Sequence, residues 1–477
     1  MPMSASVLTR AQARPCATMR AAAHSAPPLP VAAPLTRSSR PSLGVAVRRA
    51  VPAAARPAER AGPQRRGELL LAKNSAAAAA VPAEAEPEGI SEGMAAANVA
   101  KSILGAGAFA LPWAFVKTGL TFTVGYMVAS AVLCVYCISL MQRSREMALL
   151  TKPEMAGRTG SYAGLATAAL GPLGGRLTEA TVMICVFGIS SAFMVFVGAT
   201  LATILQPPVM AQAISQNTLV WAITPLLVLL GWVRNMAGVS LISMLGNVSV
   251  LTGLVAVVCY ALQLPSQLSA IPQVNFSGFG QAFGSVAFLY FVHFTLPPIE
   301  GSMARPERFL SAATTGFAFS TIVCVLFGVI GAVYFGPEVQ SVVLAMLQGQ
   351  GIVIAVKLLL CLNLLCTFPV VVSGAFQILE GQFKESTGKD MPGPMVYVMR
   401  AMFVVLAAAV GVGIPSFGKL LGLVGGVCCT LLTMIFPPLM MLASSARAGK
   451  PVAPLEKGLL YAILAGGLGI CYLSIAG

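Results

Sequence analysis

From residue 93 onward, apolar stretches follow one another with short breaks, each about 20 residues long. That is the length of α-helix needed to cross roughly 30 Å of hydrocarbon at about 1.5 Å per residue. They fall at 93–117, 120–141, 177–205, 217–233, 240–264, 278–302, 309–335, 351–379, 395–414, 418–444 and 455–475. The runs are continuously apolar rather than alternating, which excludes the strands of a membrane barrel. A chain of 477 residues with 57% hydrophobic and only 10% charged residues has no soluble counterpart. Soluble domains carry about 25% charge, and one hydrophobic core rarely grows past roughly 250–300 residues. The expected fold is an all-α polytopic membrane protein with about eleven transmembrane helices, its apolar side chains facing the lipid bilayer.

The loops orient these helices. With the N-terminus on the cytoplasm-like side, the inner loops hold Arg143, Arg145, Lys152, Arg158, Arg176, Arg234, Arg305, Arg308, Lys384, Lys389, Arg447, Lys450 and Lys457. The outer loops keep only Lys117 and Lys419. This is the positive-inside asymmetry, and it holds only for an odd number of crossings.

Much of the net charge of +14 lies ahead of the helices. Residues 1–75 carry twelve Lys and Arg against Glu59 and Glu68. The segment is rich in Ala, Arg, Pro and Ser and has no apolar run long enough to span. That is the composition of an organellar transit peptide, and residues 47–51, VRRAV, resemble a chloroplast processing site. A disordered cytosolic tail is the alternative. Glu84, Glu86, Glu88 and Glu92 form a short acidic linker. The expected organisation is a basic tail over 1–89 and a transport domain over 90–477, with no nucleic acid partner.

Two helices carry signs of interruption. The first run contains Gly105, Ala106 and Gly107 followed by Pro112; the sixth contains His293, then Pro297 and Pro298, with Gly301 after. Glycine tolerates non-helical backbone, and proline removes a donor and clashes with the previous turn. Irregular backbone at membrane depth survives only where it is buried in protein or lines a cavity. In a five-plus-five repeat with one helix added, helices one and six correspond, and inverted-repeat transporters bind substrate at such paired breaks. Ordinary packing is the competing explanation, since Gly and Pro are common in membrane helices.

These residues resemble the amino acid/auxin permease family. Asn98 to Pro112, NVAKSILGAGAFALP, is similar to its first-helix signature. His293 to Phe309, HFTLPPIEGSMARPERF, resembles the sixth helix and following loop of its vesicular and vacuolar branch. Thr367-Phe368-Pro369 and Ile378-Leu379-Glu380 fit the eighth helix, and Phe417 to Pro438 the tenth. The similarity covers about residues 90 to 475. It implies a fold of the bacterial leucine-transporter type, helices one to five and six to ten forming inverted repeats. It also implies amino acid transport, usually coupled to protons and in some branches to sodium, without a cofactor or metal.

The expected substrate set is Ser102, Gly105, Ala106, Gly107, Phe291 and His293. Amides around Gly105–Gly107 would meet the substrate carboxylate, and carbonyls freed near His293 its ammonium. The ion-coupling candidates are Asn98, Lys101, His293, Glu300 and Thr367. Histidine titrates nearest neutrality, and an intramembrane ionisable group is a functional candidate. In sodium-coupled relatives the stretch around Asn98 helps hold the ion together with helix eight, where Thr367 lies. Lys101 would put an ammonium beside that ion, which disfavours sodium, unless it snorkels to the interface. Glu300 is expected in an interfacial salt bridge beside Arg305 and Arg308; Glu179 and Lys357 are expected to snorkel. Ser240, Ser243 and Asn247 share one helix face by spacing.

Cys134 and Cys137 form a C-x-x-C, and Cys428 adjoins Cys429, yet no second pair completes a metal site. A membrane-embedded enzyme would need a nucleophile with a base, or a ligated metal. One membrane histidine, no Gly-x-Ser-x-Gly and no paired intramembrane carboxylates speak against one. A sensor that binds amino acid without moving it is the remaining alternative.

Overall fold

The computed structural model describes residues 89–206, 213–233, 239–276, 278–349 and 351–476. The basic tail, including His24, lies outside the described residues, as do the side chains of Ser240, Ser243 and Asn247. Every named element among the described residues is helical.

The first crossing is bent. Helix α1, Glu92–Ile103, begins at Ser91, whose hydroxyl accepts from the Met94 amide at 3.3 Å. Glu92 in its first turn and Lys101 in its last suit the helix dipole. After a break at Leu104 and Gly105 the chain re-enters a 3-10 turn, Ala106–Ala110, and then α2, Leu111–Thr118. The two halves meet at 45°. Gly119 turns the chain into α3, Leu120–Thr151, with φ +93°, and a Cβ there would lie 2.5 Å from the Gln273 carbonyl. That close approach lets Leu120 and Phe122 donate to the Pro272 and Gln273 carbonyls, joining an outer loop to this turn.

A short helix α4, Tyr162–Leu170, precedes α5, Pro172–Ile204. Then come α6, Gln216–Gly231, and α7, Val239–Ala261. The next crossing is broken like the first: α8, Phe279–Leu289, an irregular stretch, a 3-10 turn His293–Thr295, and α9, Leu296–Gly301. Next are α10, Phe309–Phe335, α11, Ile352–Thr387, and α12, Gly393–Gly413. The following crossing starts as α13, Phe417–Val424, widens into π turns at Gly425–Cys429 and Leu431–Ile435, and ends as α14, Phe436–Arg447. Pro437 and Pro438 lack the amides that a regular helix would need there. Helix α15, Pro454–Ala476, closes the chain's described part.

The described residues hold eight helices long and apolar enough to cross a membrane, or nine with the bent pair counted as one. Two of the eleven expected runs fall on less complete helices. Gln216–Gly231 has 16 residues, and Val248–Ala261 is the fully described part of α7. Eleven crossings are therefore not reached by length and composition alone.

Small residues bring the breaks together. A Cβ on Gly284 of α8 would lie 1.9 Å from the Gly422 carbonyl of α13, and one on Gly425 would lie 1.8 Å from the Gly284 carbonyl. Membrane helices approach this closely where side chains are absent.

Candidate functional site

A cavity of about 340 Å³ lies where the two broken crossings meet α5, α7 and α11. Its size is at the small end of the roughly 300–1,000 Å³ typical of small-molecule sites. From the first crossing Lys101, Ser102, Gly105, Ala106 and Gly107 line it; from the other broken crossing Phe288, Phe291, Phe294 and Thr295 do. Asn363 and Thr367 of α11 add polar groups, and Ile189, Phe193 and Val250 an apolar wall.

The backbone at the first break is open for a ligand. Gly105 is extended, φ −120° and ψ −164°, and no heavy atom lies within 4 Å of where its Cβ would stand. The helix that restarts at Ala106 has first-turn amides with no intrahelical acceptor. With the dipole, these favour an anionic group. At the other break α8 ends at Leu289, and Phe291 and Val292 donate only to Phe288 and Tyr290. Tyr290 is anchored by a 2.8 Å hydrogen bond to Thr321 of α10 and by stacking on Phe317.

The hydroxyls around the cavity are turned to serve as acceptors. Ser102 donates to the Asn98 carbonyl at 2.9 Å, Thr295 to the Val292 carbonyl at 2.7 Å, and Thr367 to the Asn363 carbonyl at 2.8 Å. A hydroxyl whose proton is used this way keeps its lone pairs, which suits an ammonium. Among the described residues no Asp or Glu lines the cavity. Its polar lining is thus the backbone at the first break, the Lys101 ammonium, the Asn363 amide and the hydroxyls of Ser102, Thr295 and Thr367.

Phe109, Phe196 and Phe417 are buried and form a chain of edge-on ring contacts, with centroids 5.9 Å and 5.2 Å apart, and none of them lines the cavity. On the side of the basic loops, Lys101 and Ser102 are exposed. A second hollow of about 320 Å³, lined by Tyr162, Glu179, Gln377 and Gln382, shares Phe294 with the cavity.

Of the expected substrate residues, Ser102, Gly105, Ala106, Gly107 and Phe291 line the cavity and His293 does not. The His293 side chain is fully buried, its Nε2 3.2 Å from the Cys134 carbonyl of α3. Of the ion-coupling candidates, Lys101 and Thr367 line the cavity, whereas Asn98 and Glu300 lie outside it. Glu300 also has a different partner from the one expected. It is 5% exposed and held by both guanidinium nitrogens of Arg145 and by Gln142 at 2.8 Å, not by Arg305 or Arg308. The reason is its place on the inward face of α9, against α3.

Lys357 does not snorkel either. It is 4% exposed and donates to the Thr203 hydroxyl at 2.9 Å and the Leu347 carbonyl at 2.8 Å. Glu179 accepts from Gln382 at 3.5 Å. The cysteines assemble no metal site: among the described residues no three His, Cys, Asp or Glu groups cluster. Instead Cys429 packs against Cys185, sulfurs 3.7 Å apart.

Sequence reasoning missed Asn363 and the aromatic wall. Asn363 was detectable, since it lies one helical turn before Thr367 and so shares its face. Phe193, Phe288 and Phe294 were not, because each belongs to a run apolar on all sides.

An Arabidopsis thaliana protein named amino acid transporter AVT3C is 25% identical over 72% of this chain and 80% of its own length. The Drosophila melanogaster proton-coupled amino acid transporter-like protein pathetic is 25% identical over 71% of this chain and 74% of its own. The solved structure of MhsT in complex with L-phenylalanine aligns with a TM-score of 0.45 and 13% identity, covering 81% of this chain and 99% of that one. The model of the family described as transmembrane amino acid transporter protein matches residues 88–477, so the chain belongs to that family of integral membrane amino acid transporters and is not an enzyme.

Proposed function

We propose that this protein is a secondary active transporter that moves amino acids across its membrane by alternating access, coupled to protons. The observation that carries this reading is the cavity of about 340 Å³ that touches both helix breaks, with backbone amides at the first and uncharged hydroxyls on the elements across from it. The substrate carboxylate meets the amides of Ala106 and Gly107. Its ammonium meets the hydroxyls of Thr295 and Thr367, on the two elements other than the one that carries Lys101. The exposure of Lys101 and Ser102 supports a state open toward the basic face. Rocking of the broken helices against α5 and α11 would reverse that access.

Lys101 supports proton coupling over sodium, because an ammonium at the cavity repels a second cation. The name of the fly relative, proton-coupled, points the same way. His293 and Glu300, outside the cavity, would act on coupling only through the helices they hold. The composition of residues 1–75 supports the chloroplast envelope, whereas the likeness of the membrane body to a yeast vacuolar amino acid transporter supports the vacuolar or another internal membrane; deleting residues 1–75 and imaging the tagged protein tests this. An unchanged location refutes the targeting role.

Uptake of labelled amino acids into proteoliposomes, with a pH gradient of either sign and with or without sodium, tests the whole reading. Uptake that follows the pH gradient and ignores sodium is expected. Binding without uptake in sealed vesicles would instead identify a sensor.

A further inference from the structure

The two broken crossings are joined a second time, away from the cavity, on the basic face. The residues before α1 and those after α9 run side by side as a parallel bridge. The Ile90 amide donates to the Ser302 carbonyl at 2.9 Å, and the Ala304 amide donates to the Ile90 carbonyl at 3.1 Å. Gly89 makes this approach possible: its φ is +148°, and a Cβ there would lie 2.4 Å from the Ala304 nitrogen. Glu92 in the first turn of α1 pairs with Arg308 at 3.4 Å, across the same junction.

Both partners are fixed to the neighbouring helices. Glu300 ties α9 to Arg145 and Gln142 of α3. Helix α1 presses on α10 at Gly316, where a Cβ would come within 2.8 Å of the Ala96 carbonyl. The far ends of α1 and of the α9 segment carry Ser102 and Thr295 into the cavity.

We infer that Gly89 and Ile90 are positioning residues that clamp the inner halves of the two broken crossings into one unit, which Glu300 fixes to Arg145 of α3, so that the halves swing together when the cavity opens or closes. A lone half-helix such as α9, with six residues, cannot hold its orientation by its own hydrogen bonds. The bridge and the ion pair supply that orientation. The inference rests on the alternating-access reading above.

The test is a cysteine pair, Ile90→Cys with Met303→Cys, at bridged positions whose backbones are close enough for a disulfide. Halves that move together lose nothing when joined, so the oxidised protein should take up labelled amino acid at the rate of the reduced protein. A block on oxidation that reduction reverses overturns the clamp. Gly89→Val, which cannot form the bridge, should lower turnover about tenfold, the order of one or two lost backbone hydrogen bonds, with substrate affinity unchanged. Unchanged turnover also overturns it. Hydrogen exchange gives a reading that needs no transport: the Ile90 and Ala304 amides should be protected in the unaltered protein and lose protection together in Gly89→Val. Unprotected amides in the unaltered protein overturn the clamp, whereas an unaltered protein that moves no amino acid fails the transport reading instead.

Discussion

Gly107→Ala tests whether the first helix break forms the binding surface. An added Cβ would stand 2.9 Å and 3.0 Å from two ring carbons of Phe288. Carbon atoms pack best at about 3.5–4.0 Å, so the ring must recede by roughly 0.5–1 Å. Phe288 itself lines the cavity, and its ring must shift within the cavity wall. Overpacking of this kind costs about 1–3 kcal/mol. Charged to the bound state, that weakens Kd by about 5- to 150-fold. The assay is equilibrium binding of a transported amino acid to purified protein, with Phe288→Leu combined with Gly107→Ala to remove the clash. The double variant should recover most of the affinity, a coupling expected only of residues in contact. Gly105→Ala is the control for folding: its Cβ meets nothing within 4 Å and its extended backbone suits any residue. Its thermal stability should equal that of the unaltered protein. Unchanged affinity in Gly107→Ala, or no recovery in the double variant, would refute the argument.

Three further outcomes follow from the buried polar groups. Thr367→Val removes a hydroxyl whose lone pairs face the cavity; loss of one hydrogen bond to a charged ammonium, about 1.5–3 kcal/mol, should raise Kd at least tenfold while expression stays normal. Arg400 is 8% exposed and bonds Glu380 at 2.8 Å, with the Gly231 carbonyl and the Phe376 ring as further partners. Glu380→Ala should therefore cost about 3 kcal/mol or more, seen as early thermal unfolding in detergent, and Glu380→Leu with Arg400→Met should be the more stable variant. Lys357→Met strips the Leu347 carbonyl of its donor and should destabilise by about 1–3 kcal/mol; an unchanged melting point would mean that the outer loop is held by its apolar residues alone.

Particular residues mark how far the sequence was legible. The run 309–335 was read to the residue and 418–444 to within three residues of Phe417–Arg447, because span length and continuous apolarity are properties of the local chain. The breaks at Gly105 and before Pro297 were legible for the same reason, as were five of the six expected substrate residues in the cavity lining. His293, Glu300 and Lys357 were not. Each was assigned by its depth along the helix, whereas its surroundings depend on the direction it faces around the helix axis. A helix apolar on every side carries no stripe from which that rotation can be read. The sequence by itself thus determined that the chain is an all-α polytopic membrane protein and where two of its helices break. Only tertiary packing decided which faces meet: Phe193 and Phe288 lining the cavity, His293 against Cys134, Glu300 on Arg145. Close contacts such as that of Gly284 with Gly425, which need the absence of a side chain, likewise exist only once helices distant in the chain are side by side.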